Sequence, residues 1–181
     1  MSAENVGKHM PARVGLHDLA LMAEADEHHR YELSAEGVLT VSPLPPPSHA
    51  MLVSRLFAWL TANGHTADQV VAHCGIDVAG AGRVPDLTVW ATGHPPRASR
   101  SPYADVEGLL LVVEVVADDS VTTDWVVKHH EYATAGIPRY WLVERDRETT
   151  VHQHRLHRDR YAVDVAGGQP LTRLLTSNLT F

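Results

Sequence analysis

The 181-residue chain contains a single cysteine, Cys74, and no apolar run long enough to cross a bilayer. One cysteine excludes an internal disulfide, and its place in the strand-like segment QVVAHCGIDV favours a small buried side chain over a nucleophile. The N-terminal residues have neither the apolar core nor the small-residue cleavage site of a secretory signal. We therefore expect a cytoplasmic protein without a membrane segment.

Positive charge is also scarce. The 15 Lys and Arg residues stand against 22 Asp and Glu residues, and the formal net charge is −7. Non-specific nucleic-acid affinity comes from cations that neutralise phosphates, so this balance argues against a protein that coats nucleic acid. It does not exclude a nuclease, because nuclease carboxylates hold the metal ions that meet the phosphate. The basic residues include only two lysines, Lys8 and Lys128.

The length and the 44% hydrophobic content predict one substantial core. We assign residues 1–14 to a flexible tail and residues 15–181 to a single domain. Apolar spacing, caps and turn residues predict helices over 16–27, 48–63 and 122–135, with Ser48 as one N-cap. The same signals predict strands over 31–33, 38–41, 70–78, 84–91, 109–116, 139–144, 150–156 and 161–165.

These elements predict an α/β fold with a central mixed β-sheet flanked by helices. The first two strands form an N-terminal hairpin around Gly37, where a positive φ is needed, and the last two strands complete the sheet at the C-terminal side. The third and fourth strands are expected to form a second hairpin around the segment AGAG. Segment 109–116 is apolar on both faces, which is typical of a strand in the middle of a covered sheet.

Glu114 is unusual because it stands in the otherwise apolar segment LLLVVEVV. A buried carboxylate is costly unless it is paired, protonated or bound to a metal ion. Asp86, in RVPDLTVW, is the best partner, since its strand is predicted to lie beside that of Glu114. Two carboxylates at neighbouring strand ends form a site for a hard divalent cation, Mg²⁺ or Mn²⁺, and the carbonyl of Val115 offers a further oxygen.

Lys128 lies on the helix that follows the Glu114 strand, four residues after Asp124. An exposed i, i+4 salt bridge on that helix is one interpretation, worth about 0.3–0.5 kcal/mol. The other interpretation is functional, because an ammonium group can orient a water nucleophile and the chain otherwise uses arginine.

The order of these residues resembles the PD-(D/E)XK nuclease superfamily. Pro85-Asp86 is followed by Glu114 in an apolar strand and then by Lys128 on the next helix. The chain is most similar to the Uma family of restriction endonucleases, from about Tyr31 to Tyr161. The similarity extends through YELSAEGVLTVSP, RVPDLTVW, LLLVVEVV, DWVVKHHEYATAGIPRYWLV and VHQHRLHRDRYA.

The resemblance implies a restriction endonuclease-like core and metal-dependent hydrolysis of DNA. It implies that Asp86 and Glu114 bind the metal, with Lys128 in place of the lysine that usually stands two positions after the second acid, where this chain has Val116. Glu32 and His49 match further polar positions, as a third acid and as a hydrogen-bonding or proton-transfer group. We also expect a homodimer, because cutting both strands of a duplex needs two sites.

Two features leave alternatives open. After Glu114 the family usually reads Glu-Val-x-Ser-Pro-Ser-Thr, whereas this chain reads EVVADDS. Its added Asp118 and Asp119 either bind a second ion or, as we favour, cap the dipole of the following helix. A non-catalytic interaction module on the same fold is therefore the alternative to a nuclease. His152 and His154 alternate on one strand as a possible zinc pair, although a solvated strand face explains them better.

Overall fold

The computed structural model describes residues 13–98 and 101–178. All but the last two residues of the predicted tail lie outside these ranges. The helices are α1 (Leu16–Ala25), α2 (Pro47–Ala62), a π-helical segment (Thr123–Lys128) continued by α3 (His129–Thr134), and α4 (Leu171–Leu174). The strands are β1 (His29–Leu33), β2 (Leu39–Pro43), β3 (Val70–Ala72), β4 (Ile76–Val78), β5 (Ala81–Arg83), β6 (Leu87–Trp90), β7 (Ala104–Asp105), β8 (Leu109–Val115), β9 (Arg139–Glu144), β10 (Thr150–His157), β11 (Arg160–Val163) and β12 (Gln169–Pro170).

The described strands form two sheets. The larger has the order β11-β10-β9-β8-β6-β3 with β12 beside β10, and the smaller has the order β2-β1-β5-β4-β7. In the larger sheet β8 runs parallel to β9 and antiparallel to β6, so the sheet is mixed as the sequence predicts. The N-terminal hairpin of β1 and β2 is also present, and Gly37 has the expected positive φ of 86°.

Strand β8 shows why the apolar segment around Glu114 forms a central strand. From Leu111 onwards its side chains alternate between two cores, as the period of a strand requires. Leu111, Val113 and Val115 pack towards α2, together with Val53, Leu56 and Leu60 of that helix. Val112 packs in the opposite core with Tyr132 of α3 and with residues of the smaller sheet. Glu114 therefore faces the π-helical segment and α3.

The predicted second hairpin is divided between the two sheets. Segment 70–78 breaks into β3 and β4, and segment 84–91 gives β6, with β5 in the place of the expected turn. β3 pairs with β6 in the larger sheet, whereas β4 pairs with β5 in the smaller one. The break falls at His73, whose φ is 52°, and its amide donates to the carbonyl of Asp86 at 3.3 Å. Asp86 consequently lies at the junction of the sheets.

Two helices differ from the sequence prediction, one in its start and one in its type. α2 begins at Pro47 after Pro46 as N-cap, so Ser48 is not the cap, because the fixed φ of proline suits the first turn. The third helix contains an internal π-helical segment, a geometry that often marks functional sites. The C-terminal α4 has no counterpart in the prediction. Across the described ranges, none of the helices combines the length and apolar character that crossing a bilayer takes.

Candidate active site

A cavity of about 290 Å³ lies where the two sheets meet the start of α2 and the π-helical segment. It brings together residues that are far apart in the sequence. Every residue that the sequence analysis places in the site lines it: Glu32 from β1, His49 from α2, Asp86 from the sheet junction, Glu114 and Val115 from β8, and Lys128 from the end of the π-helical segment. Their side chains, Val115 included, are buried.

Asp86 is held beside Glu114 by the register of the larger sheet. Leu87 pairs with Val113 across the antiparallel strands, so Asp86 comes next to Glu114. The amide of Val115 donates to Asp86 Oδ2 at 2.8 Å. Burial alone would raise the pKa of Asp86, but contacts with His49, Arg30 and the Val115 amide lower it below its usual value. Asp86 is therefore an anion in this cavity.

Glu114 accepts two hydrogen bonds on one oxygen. Lys128 Nζ and the hydroxyl of Tyr132 each lie 3.0 Å from Glu114 Oε1. Burial raises the pKa of Glu114 to about 8; Lys128 opposes this shift, and the neighbouring carboxylates of Asp124 and Asp86 add to it. Burial and the neighbouring acids thus outweigh the effect of Lys128 on the pKa of Glu114.

Lys128 is the buried cation at the centre of the acids. Its Nζ lies 3.0 Å from Glu114 Oε1, 3.1 Å from Glu32 Oε2 and 3.2 Å from Asp124 Oδ1. Burial alone would lower the pKa of Lys128, but these three carboxylates raise it above its ordinary value. Lys128 is accordingly a protonated donor. The i, i+4 pair with Asp124 exists, but it is buried, so the interpretation as an exposed surface salt bridge is wrong.

Glu32 is oriented from both sides. Its Oε1 accepts the amide of Val84 at 2.8 Å, and its Oε2 faces Lys128 and, at 3.6 Å, Arg83 Nη1. Burial would raise the pKa of Glu32, but the charges of Lys128 and Arg83 lower it overall. Arg83 in turn donates through Nε and Nη2 to both oxygens of Glu131, each at 2.8 Å. This buried pair fixes Glu32 from behind the cavity.

His49 lies against the other side of Asp86. Its Nε2 is 2.9 Å from Asp86 Oδ1, an ion-pair distance, but the ring is not aligned for a hydrogen bond to that oxygen. The nitrogen is buried and has no other hydrogen-bond partner in the described structure. A buried polar atom without an aligned partner is uncommon and marks a place where a ligand or water can bind.

The donors in this cavity fit a hard divalent cation. The lining includes six carboxylates against three permanent cations, and it includes Val115. Carboxylate and carbonyl oxygens are the ligands that Mg²⁺ and Mn²⁺ take. Among the described residues, no three Asp, Glu, His or Cys side chains already converge as a metal site. Lys128 is bound to Glu114 instead, and Arg30 is bound to Asp86.

The comparisons with known proteins agree with this fold. The family model of Uma2, described as "Putative restriction endonuclease", matches residues 16–180. The chain belongs to the Uma2 family. A crystal structure described as "a putative nuclease belonging to DUF820" from Anabaena variabilis ATCC 29413 is similar to this Uma2 chain with a TM-score of 0.62. It is 19% identical, and the match covers 83% of each chain, which confirms the fold alone. No curated protein matches the chain.

The Uma2 site also contains residues that sequence reasoning missed. Arg30 contacts Asp86, Tyr132 contacts Glu114, and Arg83 supports Glu32. Arg30 directly precedes the segment YELSAEGVLTVSP, and Tyr132 is four residues after Lys128. The helical spacing of Tyr132 was the one signal in the sequence that could have placed it with Lys128.

Asp118 and Asp119 of the Uma2 chain lie in the turn that directly precedes the third helix. Both aspartates also line the cavity, and their effect on the helix dipole stays a prediction. That turn is closed by Ser120, whose hydroxyl accepts the amide of Ala117 at 3.0 Å and donates to Asp124. Ser120 thus links the altered turn to an acid that contacts Lys128.

His152 and His154 of β10 do not form a solvated face. His154 is buried, and its ring packs edge-on against Trp125 and His129. His152 packs against the same tryptophan and bonds Glu144 at 3.0 Å. The expectation of a solvated strand face is therefore wrong for His154, because the third helix covers this part of the sheet.

Proposed function

We propose that the chain is a metal-dependent endonuclease that hydrolyses phosphodiester bonds of DNA at Asp86, Glu114 and Lys128. The observation that carries this proposal is the convergence of these three side chains in one buried cavity of a Uma2 protein. They come from the sheet junction, the central strand and the π-helical segment, which the core packs against one another.

Asp86, Glu114 and the carbonyl of Val115 would hold Mg²⁺ or Mn²⁺. When bound, such an ion lowers the pKa of a coordinated water and offsets negative charge on the phosphate. Carboxylates outnumber cationic side chains in the cavity. Their oxygens are the ligands that a divalent cation prefers, so such a cation fits this site better than another arginine or lysine side chain would.

Lys128 donates hydrogen bonds in this mechanism and does not act as a base. Its ammonium group is fixed among three carboxylates, and an ammonium has donors alone. It can orient the attacking water and donate to a phosphate oxygen that gains charge. Glu32 and Asp124 hold Lys128 in place, and Tyr132 fixes the Glu114 carboxylate that Lys128 contacts.

His49 has the position for proton transfer next to Asp86. Its Nε2 is buried in the cavity wall without an aligned partner, so it is available to a water or a substrate oxygen. We infer that it assists Asp86 and is secondary to the three principal residues.

The expected substrate is duplex DNA, and two copies of the chain would cut its two strands in the cytoplasm. Sedimentation of the protein at micromolar concentration tests the assembly, for which we expect a homodimer. A monomer at all concentrations would show that each chain acts singly.

Cleavage of supercoiled plasmid tests the activity. We expect nicked and linear products with Mg²⁺ or Mn²⁺, and none with a chelator. Asp86→Asn, Glu114→Gln and Lys128→Met should each abolish them, whereas Arg160→Met, an exposed change on β11, should leave cleavage intact. A folded protein that cleaves no DNA with either cation would show that this is a non-catalytic interaction module.

A further inference from the structure

Asp86 Oδ1 is more crowded than its neighbour oxygen. Oδ2 takes one backbone hydrogen bond from Val115. Oδ1 has Nη1 and Nη2 of Arg30, each at 3.2 Å, and His49 Nε2 at 2.9 Å. An oxygen with three nitrogen neighbours has little room for a metal ion. A cation at Asp86 therefore requires that one of these groups withdraws.

Arg30 is the group best placed to withdraw. Both of its terminal nitrogens contact the same oxygen of Asp86. This arrangement is weaker than the usual bidentate one, in which two guanidinium nitrogens bind the two oxygens of a carboxylate. Arg83 provides the contrast, because it is 1% exposed and makes two 2.8 Å bonds to the two oxygens of Glu131. The Arg30 side chain is 19% exposed and lines the cavity, so it reaches the entrance.

His73 gives Arg30 a second partner that is more exposed than Asp86. Arg30 Nη2 lies 3.2 Å from His73 Nδ1, and the His73 side chain is 46% exposed. Because arginine has donors alone, His73 Nδ1 is the acceptor in this contact. The guanidinium thus lies between a buried anion and a half-exposed neutral ring.

We propose that Arg30 couples DNA binding to metal binding: it covers Asp86 Oδ1 in the free protein and turns to a DNA phosphate when substrate arrives, which opens Oδ1 to the cation. This inference rests on the proposed function. Arg30 is a positioning residue for the metal and a direct ligand of the phosphate. Because coupling is reciprocal, bound DNA raises the affinity for the cation and the cation raises the affinity for DNA.

The test measures two affinities in the full-length protein and in Arg30→Gln. Calorimetry with Mn²⁺ alone gives the metal affinity, and fluorescence anisotropy of a labelled duplex in chelator gives the metal-free DNA affinity. We expect Arg30→Gln to bind Mn²⁺ about tenfold more tightly, as loss of a charge-assisted hydrogen bond allows, and to bind the duplex more weakly. Opposite changes in the two affinities are the signature of the coupling.

Arg145→Gln is the matched control. Arg145 lines the same cavity, but it donates to the carbonyl of Val116 and not to Asp86. If equal increases in Mn²⁺ affinity occur in both variants, the effect is general charge removal and the coupling is wrong. Unchanged or weaker Mn²⁺ binding in Arg30→Gln would overturn it as well.

Asp86→Asn separates this inference from the proposed function. If the wild-type protein binds Mn²⁺ and Asp86→Asn does not, the metal site at Asp86 is supported independently of the result for Arg30→Gln. If neither the wild-type protein nor Arg30→Gln binds Mn²⁺, both proposals fail. Should Arg30→Gln be poorly folded, thermal unfolding gives the same information, because Mn²⁺ should raise its Tm more than that of the wild type.

Discussion

The ammonium group of Lys128 lies 3.0 Å from the carboxylate of Glu114, and the two side chains are 5% and 3% exposed. Taking both charges out of water is costly, and the pair is tolerable because further polar groups surround it. Glu32 and Asp124 share the ammonium group, and Tyr132 donates to the same Glu114 oxygen. The site is thus a network in which each member depends on the others.

Removing Lys128 should destabilise the protein strongly. Lys128→Met leaves three carboxylates buried without their shared cation, and breaking a buried pair in this way costs about 3–5 kcal/mol. Urea denaturation measures the free energy of unfolding. The double variant Lys128→Met with Glu114→Gln should recover part of the loss, because one of the stranded acids is then neutral. A Lys128→Met protein as stable as the wild type would show that the acids do not rely on this cation.

Arg83 should matter for stability far more than an exposed arginine does. It is 1% exposed and bound to Glu131 and Glu32, so Arg83→Met should cost about 3–5 kcal/mol. Arg160 pairs with Asp159 on the surface, with both side chains more than four-fifths exposed, and Arg160→Met is the matched control. Its effect should lie within the ~0–1 kcal/mol of exposed pairs. Chemical denaturation measures the free energy of unfolding of both variants. Equal decreases in the two variants would contradict this ranking.

His154 should make stability depend on pH. Burial, and after it the neighbouring His129, lower the pKa of His154 from 6.5 to about 4. Between pH 6.5 and pH 4 the unfolded chain therefore binds a proton at His154 that the folded chain does not bind. The contribution of His154 to the free energy of unfolding is complete above pH 6.5 and is lost as the pH falls towards 4. His154 Nδ1 also has no hydrogen-bond partner in the described structure.

Thermal unfolding across pH 4–7 tests this dependence. His154→Phe keeps an aromatic ring next to Trp125 and should flatten the decline in Tm. His157→Phe, at an exposed position of the same strand, should leave the slope as in the wild type. The same slope in His154→Phe and the wild type would mean that other groups cause the acid sensitivity.

The sequence predicts the central part of the fold because local patterns determine it. The apolar segment around Glu114 is typical of a covered strand, and the register of that strand brings Asp86 beside Glu114. The division of the second hairpin was not predictable, since both arms remain strand-like in composition and the break depends on pairing with two different sheets.

The residues of the site were predictable in part. Glu32, His49, Asp86, Glu114 and Lys128 followed from the motif order and now line one cavity, although their roles stay predictions. Arg30 could not be found in this way, because it is 56 positions away from Asp86 in the sequence and no local pattern predicts their contact. The burial of Lys128 was also missed, since a helical i, i+4 pair usually lies on a surface.

The central claim is that Asp86 and Glu114 hold a divalent cation in the cavity that also contains Lys128. Crystals soaked in Mn²⁺ test it most directly through the anomalous signal of the metal. We predict a peak bound by oxygens of Asp86 and Glu114 and by the carbonyl of Val115, with Arg30 displaced from Asp86 Oδ1. A cavity with no anomalous peak at saturating Mn²⁺, and with Arg30 and Lys128 still bound to the acids, would contradict the account.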